Sequence, residues 1–180
     1  MPFDAYLYFP GSKQVHGEVL DSEMNAKKAF KLESFEFGAE KQTNIGTASG
    51  GGGSSATKFQ DLTFKKVTDT ASNGLFNALA TGHHFKDAVI ELRRSGGSKN
   101  KSGKTFFKIS FKLAILTNMS FSGTDDDEQM SEDLTLTYGA IKTEYWVQGL
   151  DGTMKKPSVG AESTWSQQLN DSIFAVKEAS

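Results

Sequence analysis

Residues 59–94, FQDLTFKKVTDTASNGLFNALATGHHFKDAVIELRR, hold the pattern that decides the fold class. Leu62 and Phe64 alternate with polar neighbours, as in a half-buried strand. A second set of apolar residues then follows at the spacing of one helix face, namely Ala71, Leu75, Phe76, Ala78 and Leu79. Alternation with a period of two resumes after residue 84. The stretch therefore predicts one helix, over about 71–81, between two strands of a mainly β fold.

Both ends of this helix carry signals of their own. Thr70 or Ser72 can accept a hydrogen bond from the free amides of the first turn. Gly82 follows at the position where a left-handed C-terminal cap falls. We expect the helix to close one end of a β-barrel.

Strand patterns extend over the rest of the chain. Residues 4–9 predict an edge strand, and residues 29–38 predict a strand whose apolar parity slips at Glu33-Ser34, which indicates a bulge. The longest pattern places apolar residues at odd positions from 107 to 121. About 17 residues at 3.3 Å each would exceed 50 Å, so this strand must bend, serve two sheets or reach beyond its subunit.

The C-terminal part of the chain has weaker patterns. A partner strand is predicted over 134–147, with a second slip at Gly139-Ala140, and Asp151-Gly152 is a turn signal. Beyond it, Trp165 is the one apolar anchor, and residues 173–176 are a candidate last strand. This divides the chain into a barrel domain, 1–152, and a tail, 153–180, that could complete the barrel.

Composition excludes several classes of protein. A chain of 180 residues without cysteine forms no disulfide, thiolate zinc site or cysteine nucleophile. The formal charge of −2 and the scattered Lys and Arg residues argue against a nucleic-acid partner. The N-terminus lacks the apolar core of a signal peptide, and no stretch is long enough for a bilayer helix. We expect a soluble cytoplasmic protein that leaves the cell, if it does, without a cleaved signal.

Two loops resemble binding motifs only in part. Residues 41–56 are rich in Gly and Ser, but Gly52 stands where a phosphate-binding loop requires Lys, and no helix pattern follows. Residues 122–133 are acidic, yet they lack the turn glycine and distal glutamate of a calcium loop. We expect both to be solvated loops.

The chain offers little for catalysis or metal binding. Its three histidines are His16, His83 and His84, and the adjacent pair would point in different directions, which makes a poor chelate. No serine lies in a Gly-x-Ser-x-Gly elbow, and no carboxylate pair is placed in a desolvated cleft by the pattern. We predict no active site, no metal site and no cofactor.

Several short motifs, in this order and spacing, give the chain a family resemblance. They are FDAYLYFPG at 3–11, Gly17-Glu18, the aromatic-x-aromatic-Gly of 35–38, QDLTF at 60–64, the A-T-G-x-H turn after the helix, and R-R-x-G-G at 93–97. Over residues 3–152 the chain resembles the Hcp family, the tube-forming proteins of type VI secretion systems. It departs from the family at Asn73-Gly74, where members often have a proline, so a looser first helical turn is expected.

The resemblance implies a two-sheet β-barrel with one flanking helix, six copies of which close into a ring. Rings would stack into a tube that works with sheath and spike proteins and carries effector proteins in its lumen. Glu36, between two aromatic residues of the second strand, is the implied lumen-facing residue. The loop 41–56 is implied in contacts between stacked rings, and its glycines are the candidates there: Gly46, Gly50, Gly51, Gly52 and Gly53.

Two alternatives to a tube subunit remain. A monomeric β-barrel that binds a small ligand would be a single 19.6 kDa species in solution. An enzyme is the other, since some relatives of the family carry toxin domains, but about 30 residues after Asp151 are too few for a further domain.

Overall fold

The structure, a computed structural model, describes residues 3–43, 56–94 and 103–177. It contains thirteen strands and two helices in these ranges. The helices are α1 (Ser22–Ala26) and α2 (Ser72–Thr81). The strands are β1 (Phe3–Tyr8), β2 (Phe30–Leu32), β3 (Ser34–Glu36), β4 (Ala39–Glu40), β5 (Lys58–Phe59), β6 (Leu62–Val67), β7 (His84–Arg94), β8 (Lys104–Ser122), β9 (Ser131–Thr137), β10 (Ala140–Tyr145), β11 (Val147–Gln148), β12 (Met154–Lys155) and β13 (Glu162–Ser166).

Nine strands form one antiparallel sheet in the order β2-β1-β7-β8-β9-β6-β3, with β10 on β8 and β13 on β10. The two ends of this order, β2 and β3, are consecutive pieces of one stretch with only Glu33 between them. The Glu33 amide donates to the Lys65 carbonyl at 2.8 Å. The slip at Glu33-Ser34 marks the point where the chain changes its pairing partner from β1 to β6, so the stretch predicted as one bulged strand forms two strands. β1 lies between β2 and β7, so the prediction of an edge strand over 4–9 was wrong.

The long strand β8 has two successive sets of partners, and all of them belong to one nine-stranded sheet rather than to the two sheets that its length suggested. It pairs with β7 along one side, and its other side pairs first with β10 and then with β9. The expected single parity was wrong. Phe111 is buried but the next buried residue is Ala114, because Leu113 adopts φ 55° and shifts the alternation. A register shift against β9 between Leu116 and Asn118 then restores the odd positions.

Helix α2 packs one face onto the core, as predicted, and ends at Gly82 in the left-handed conformation with φ 65°. Its start differs from the prediction. The N-cap residue is Ala71, whose side chain makes no capping hydrogen bond; instead Asp69 Oδ1 accepts the Ala71 amide, and Ser72 Oγ accepts the Asp69 amide. Phe76 was placed on the buried face but is 51% exposed, because the sheet covers only the narrower stripe of the helix around Leu75.

A second helix, α1, was not predicted. Its signal is the N-cap Asp21, which accepts the amides of Glu23 and Met24 at 3.1 and 3.0 Å. Five residues are too few to show a helical period, so the pattern alone could not indicate it. Met24 is fully buried and anchors a small apolar cluster on the outer face of β1 and β7, with Tyr6, Tyr8, Ala29 and Val89.

The C-terminal segment forms its strand earlier than expected. β13 pairs with β10, whereas the candidate strand at 173–176 is irregular. Trp165 is the predicted anchor, and its ring stacks on Phe59 with centroids 6.2 Å apart. Residues 173–177 instead cross the outer face of the sheet, where the Lys112 ammonium lies 4.9 Å from the Phe174 ring centroid.

Candidate functional site

Glu36 lies on an exposed face of the sheet, opposite the core. Its neighbours Phe35 and Phe37 stack on each other with centroids 6.4 Å apart and pack against the core. Alternation then directs the Glu36 side chain outwards, and Glu36 is exposed. The side chain therefore points away from the core, and its assignment to a lumen stays a prediction.

Strand register extends this exposed face across four strands. One row joins Glu36 on β3 to Thr63 on β6, Thr135 on β9 and Asn118 on β8. The row beside it joins Ser34, Lys65, Asp133 and Ser120 in the same strand order. We call these eight residues the polar face. Two carboxylates and one ammonium give it one net negative charge, and the remaining five side chains are hydroxyls and an amide.

The outer side of β1 and β7 is covered, in contrast to the polar face. Helix α1 lies over it, and a polar network fastens the helix there. Glu91 on β7 accepts hydrogen bonds from Lys27, Tyr8 and Thr105 at 2.6, 2.6 and 2.7 Å. Of the two outer surfaces, the polar face is therefore the one left open to solvent.

The network also shifts two ionisation equilibria. Burial alone would raise the pKa of Glu91, but the hydrogen bonds from Lys27, Tyr8 and Thr105 outweigh it and lower that pKa below its ordinary value of 4.5. Burial, and then the hydrogen bond to Glu91, raise the pKa of the Tyr8 hydroxyl. Both groups are held in the protonation states that their contacts require at neutral pH.

Sequence patterns missed a second polar group, inside the core. The Lys66 ammonium is completely buried and contacts Glu132 Oε2 at 3.0 Å, Asp69 Oδ1 at 2.8 Å and Ser72 Oγ at 3.1 Å. The alternation along β6 could have indicated this burial, because Lys66 lies on the same side of the strand as the buried Phe64. With its donors occupied by fixed acceptors, this lysine ties α2 to the sheet and is not free to act on a ligand.

The other predicted candidates do not form a site in the described chain. Gly46, Gly50, Gly51, Gly52 and Gly53 lie outside the described residues. His83 and His84 are exposed, and the His83 ring packs edge-on against Phe85 at 4.8 Å. Within residues 3–43, 56–94 and 103–177, no cluster of three metal-binding side chains occurs, and neither helix could cross a bilayer.

Comparison with known proteins agrees with this architecture. A solved structure of a type six secretion system protein superposes with a TM-score of 0.80 at 23% identity, covering 94% of this chain and 99% of the other. Hcp1 from Salmonella typhimurium gives 0.71 at 22% identity, covering 96% of this chain and 100% of the other. At these identities the likeness shows a shared fold.

Sequence comparison adds the family. Protein hcp1 from Pseudomonas aeruginosa is 28% identical over 93 residues, which span 52% of this chain and 56% of hcp1. The aligned part is thus about half the length of that relative. The family model described as "Type VI secretion system effector, Hcp" matches residues 6–145, most of the chain. The chain therefore belongs to the Hcp family of the type VI secretion system.

Proposed function

We propose that this chain is a structural subunit of a type VI secretion tube. Six copies close into a ring, rings stack into a tube, and the tube works with sheath and spike proteins. Within each subunit, residues 1–152 form the barrel, which β2 and β3 close through Glu33, and the tail 153–180 completes it. The protein is made in the cytoplasm and exported, with effector proteins in its lumen.

One observation carries this proposal for a member of the Hcp family. The subunit covers one outer sheet surface with α1 and leaves the other open as the polar face. A surface of hydroxyls, an amide and a few charges suits the wall of a water-filled channel, because it needs neither apolar cover nor a charged partner. Ring closure also offers partners to strand edges that would otherwise promote aggregation.

The mass in solution tests ring formation. Light scattering should give about six times the subunit mass of 19.6 kDa. A monodisperse species of 19.6 kDa at micromolar concentration would contradict the ring. It would favour the second candidate function, a monomeric barrel that binds a small ligand. A groove of uncharged residues between β4–β5 and β10–β13, with Phe37, Phe59, Ile141 and Trp165 among its lining, supports that candidate.

Glu36→Arg tests the lumen assignment. The substitution reverses a charge on the polar face and touches no core contact, so stability should change by about 0.5 kcal/mol or less. The set of effector proteins that the ring retains should change, because the charges that line a narrow channel select the proteins that enter it.

The measurement is a pull-down of co-expressed effectors, with a thermal melt of each ring. Glu40→Arg is the matched control, since Glu40 is an exposed carboxylate outside the polar face. An effector profile that is the same for wild type and both variants would remove Glu36 from the lumen.

A further inference from the structure

The hairpin of β11 and β12 presents an apolar tip that none of the described residues covers. Leu150, in the turn, is fully exposed, and Val147 at the base is 46% exposed. The turn is nevertheless ordered by specific bonds. Asp151 Oδ1 accepts the amide and the hydroxyl of Thr153 at 3.1 and 2.7 Å, and the Lys104 ammonium donates to the Gly152 carbonyl at 2.9 Å. The tip is a preorganised apolar projection.

A second exposed apolar surface lies on α2 and the end of β8. Phe76 and Phe121 are 51% and 40% exposed, and their rings meet at 6.1 Å with an interplanar angle of 57°. We call these two residues the aromatic pair. The segments that carry them, 70–82 and 113–124, contain no Asp, Glu, Lys, Arg or His. In a chain with 23% charged residues, such a neutral aromatic surface has the composition of a protein interface.

The two apolar surfaces lie at opposite ends of β8. The hairpin adjoins its beginning, where the Trp146 amide donates to the Phe106 carbonyl at 2.8 Å. Phe121 is the last residue but one of the strand. Phe121 lies fifteen residue steps after Phe106, up to about 50 Å along a strand and less with bulges. One subunit therefore cannot bring its own Leu150 onto its own aromatic pair.

We propose that Leu150 of one copy packs on the Phe76–Phe121 pair of a second copy in the next ring. The proposal rests on the stacked-ring function above and names a contact that holds the stack together. A head-to-tail contact between two different surfaces leaves one of each free at the ends, so it extends into an open array. The residues before Leu150, 146–149, are also uncharged. Asp151, which follows it, has its carboxylate hydrogen-bonded to the amide and hydroxyl of Thr153 within the turn, so the contact leaves no buried charge without a partner.

The first test of this contact introduces a charge at the tip of the hairpin. Leu150→Asp should leave the ring mass and the thermal melt as in wild type, because the Leu150 side chain is fully exposed among the described residues. It should reduce the fraction of protein that sediments as tubes by about tenfold or more, as for an anchor at the centre of an interface. Val159→Asp is the matched control, since Val159 is an aliphatic residue with 86% exposure outside the hairpin. Normal tubes from Leu150→Asp would overturn the proposal.

The absence of cysteine allows a direct second test. Leu150→Cys and Asn77→Cys are prepared as separate proteins, mixed as concentrated rings and oxidised. Asn77 is exposed and adjoins Phe76 on α2, so a disulfide-linked dimer of the two proteins is expected on a non-reducing gel. Val159→Cys with Asn77→Cys should give none. If rings form but no disulfide links Leu150→Cys to Asn77→Cys, this contact alone is overturned. If the wild-type protein never forms rings, the proposed function is overturned instead.

Discussion

Lys66 is the clearest case of a single residue that joins separate elements. Its ammonium contacts Glu132 on β9, Asp69 before α2 and Ser72 within it, and it lies 5.3 Å from the Phe30 ring centroid. Glu132 is also fully buried, and its Oε1 has no hydrogen-bond partner among the described residues. A buried ion pair of this kind depends on both partners, since either charge alone would remain in the core without compensation.

Lys66→Met should therefore destabilise the fold by about 3–5 kcal/mol, because it leaves the Glu132 charge buried and unpaired. Asp69 is partly exposed, so water can replace its lost contact. The double variant Lys66→Met/Glu132→Leu should recover at least about 2 kcal/mol of that loss, because it removes both charges. Urea unfolding of the three proteins measures this. A double variant no more stable than Lys66→Met would show that the pair is not the cause.

Glu91 should make stability depend on pH. Its pKa is lowered in the folded state, so its contribution to stability is present above the ordinary value of 4.5 and is lost as the pH falls through the folded-state pKa. Glu91→Gln should be less stable at neutral pH by about 1–3 kcal/mol, since a charged acceptor is lost. Its free energy of unfolding should also fall less than that of wild type below pH 4.5.

Denaturant unfolding at a series of pH values tests this, with Thr105→Val as an intermediate case because it removes one of three hydrogen bonds to the carboxylate. Parallel pH profiles for wild type and Glu91→Gln would assign the acid sensitivity to other groups.

At the scale of elements, α2 is placed by a close approach of its first turn to the loop before α1. A Cβ at Gly74 would lie 1.9 Å from the Gln14 carbonyl oxygen, closer than any real contact. The Thr70 hydroxyl donates to the His16 carbonyl at 2.8 Å beside it. The departure from the family pattern at this position predicted only a looser first turn, but Gly74 has a further role. It lets the helix and the loop meet backbone to backbone.

Gly74→Ala separates these two effects, because they have opposite signs. Helix propensity alone would make alanine more stable by up to about 1 kcal/mol. The clash with a backbone atom should reverse this and cost about 1–3 kcal/mol, as overpacking does. Asn77→Ala is the control at an exposed helical position, where propensity alone acts and stability should rise slightly. Thermal or urea unfolding measures both, and a Gly74→Ala protein as stable as Asn77→Ala would disprove the close-packing role.

At the scale of the whole molecule, the fold and the assembly are separable. The two-residue ladder of β4 and β5 closes with Glu40 opposite Lys58, and the sheet that holds the core is built from other strands. Joining Thr43 to Thr57 through a short Gly-Ser linker should therefore preserve the fold and the ring mass. If the glycine-rich loop joins stacked rings, tubes should be lost.

Circular dichroism measures whether the subunit is folded, light scattering measures the mass of the ring, and sedimentation measures the formation of tubes. Tubes that form normally would exclude the loop from stacking, and loss of the folded subunit would make it part of the fold.

The sequence by itself determined the features that depend on neighbours along the chain. Alternation located most of the strands, the parity slips at Glu33 and Gly139 located two changes of pairing partner, and Gly82 marked the end of α2. Each of these signals is local, because backbone sterics and side-chain alternation act over a few residues. The direction of Glu36 followed for the same reason, from the aromatic residue on each side of it.

Only the tertiary structure decided which apolar side chains are covered and which polar ones are enclosed. The sequence pattern of β8 allows either Leu113 or Ala114 to be the buried residue. Ala114 is buried because Leu113 has a positive φ at the point where β8 changes its partner from β10 to β9. Phe76 is exposed because the sheet covers α2 only around Leu75, and Lys66 is buried because Glu132 faces it from β9. Whether a side chain is buried depends on the residues that pack against it, and those residues are distant in sequence.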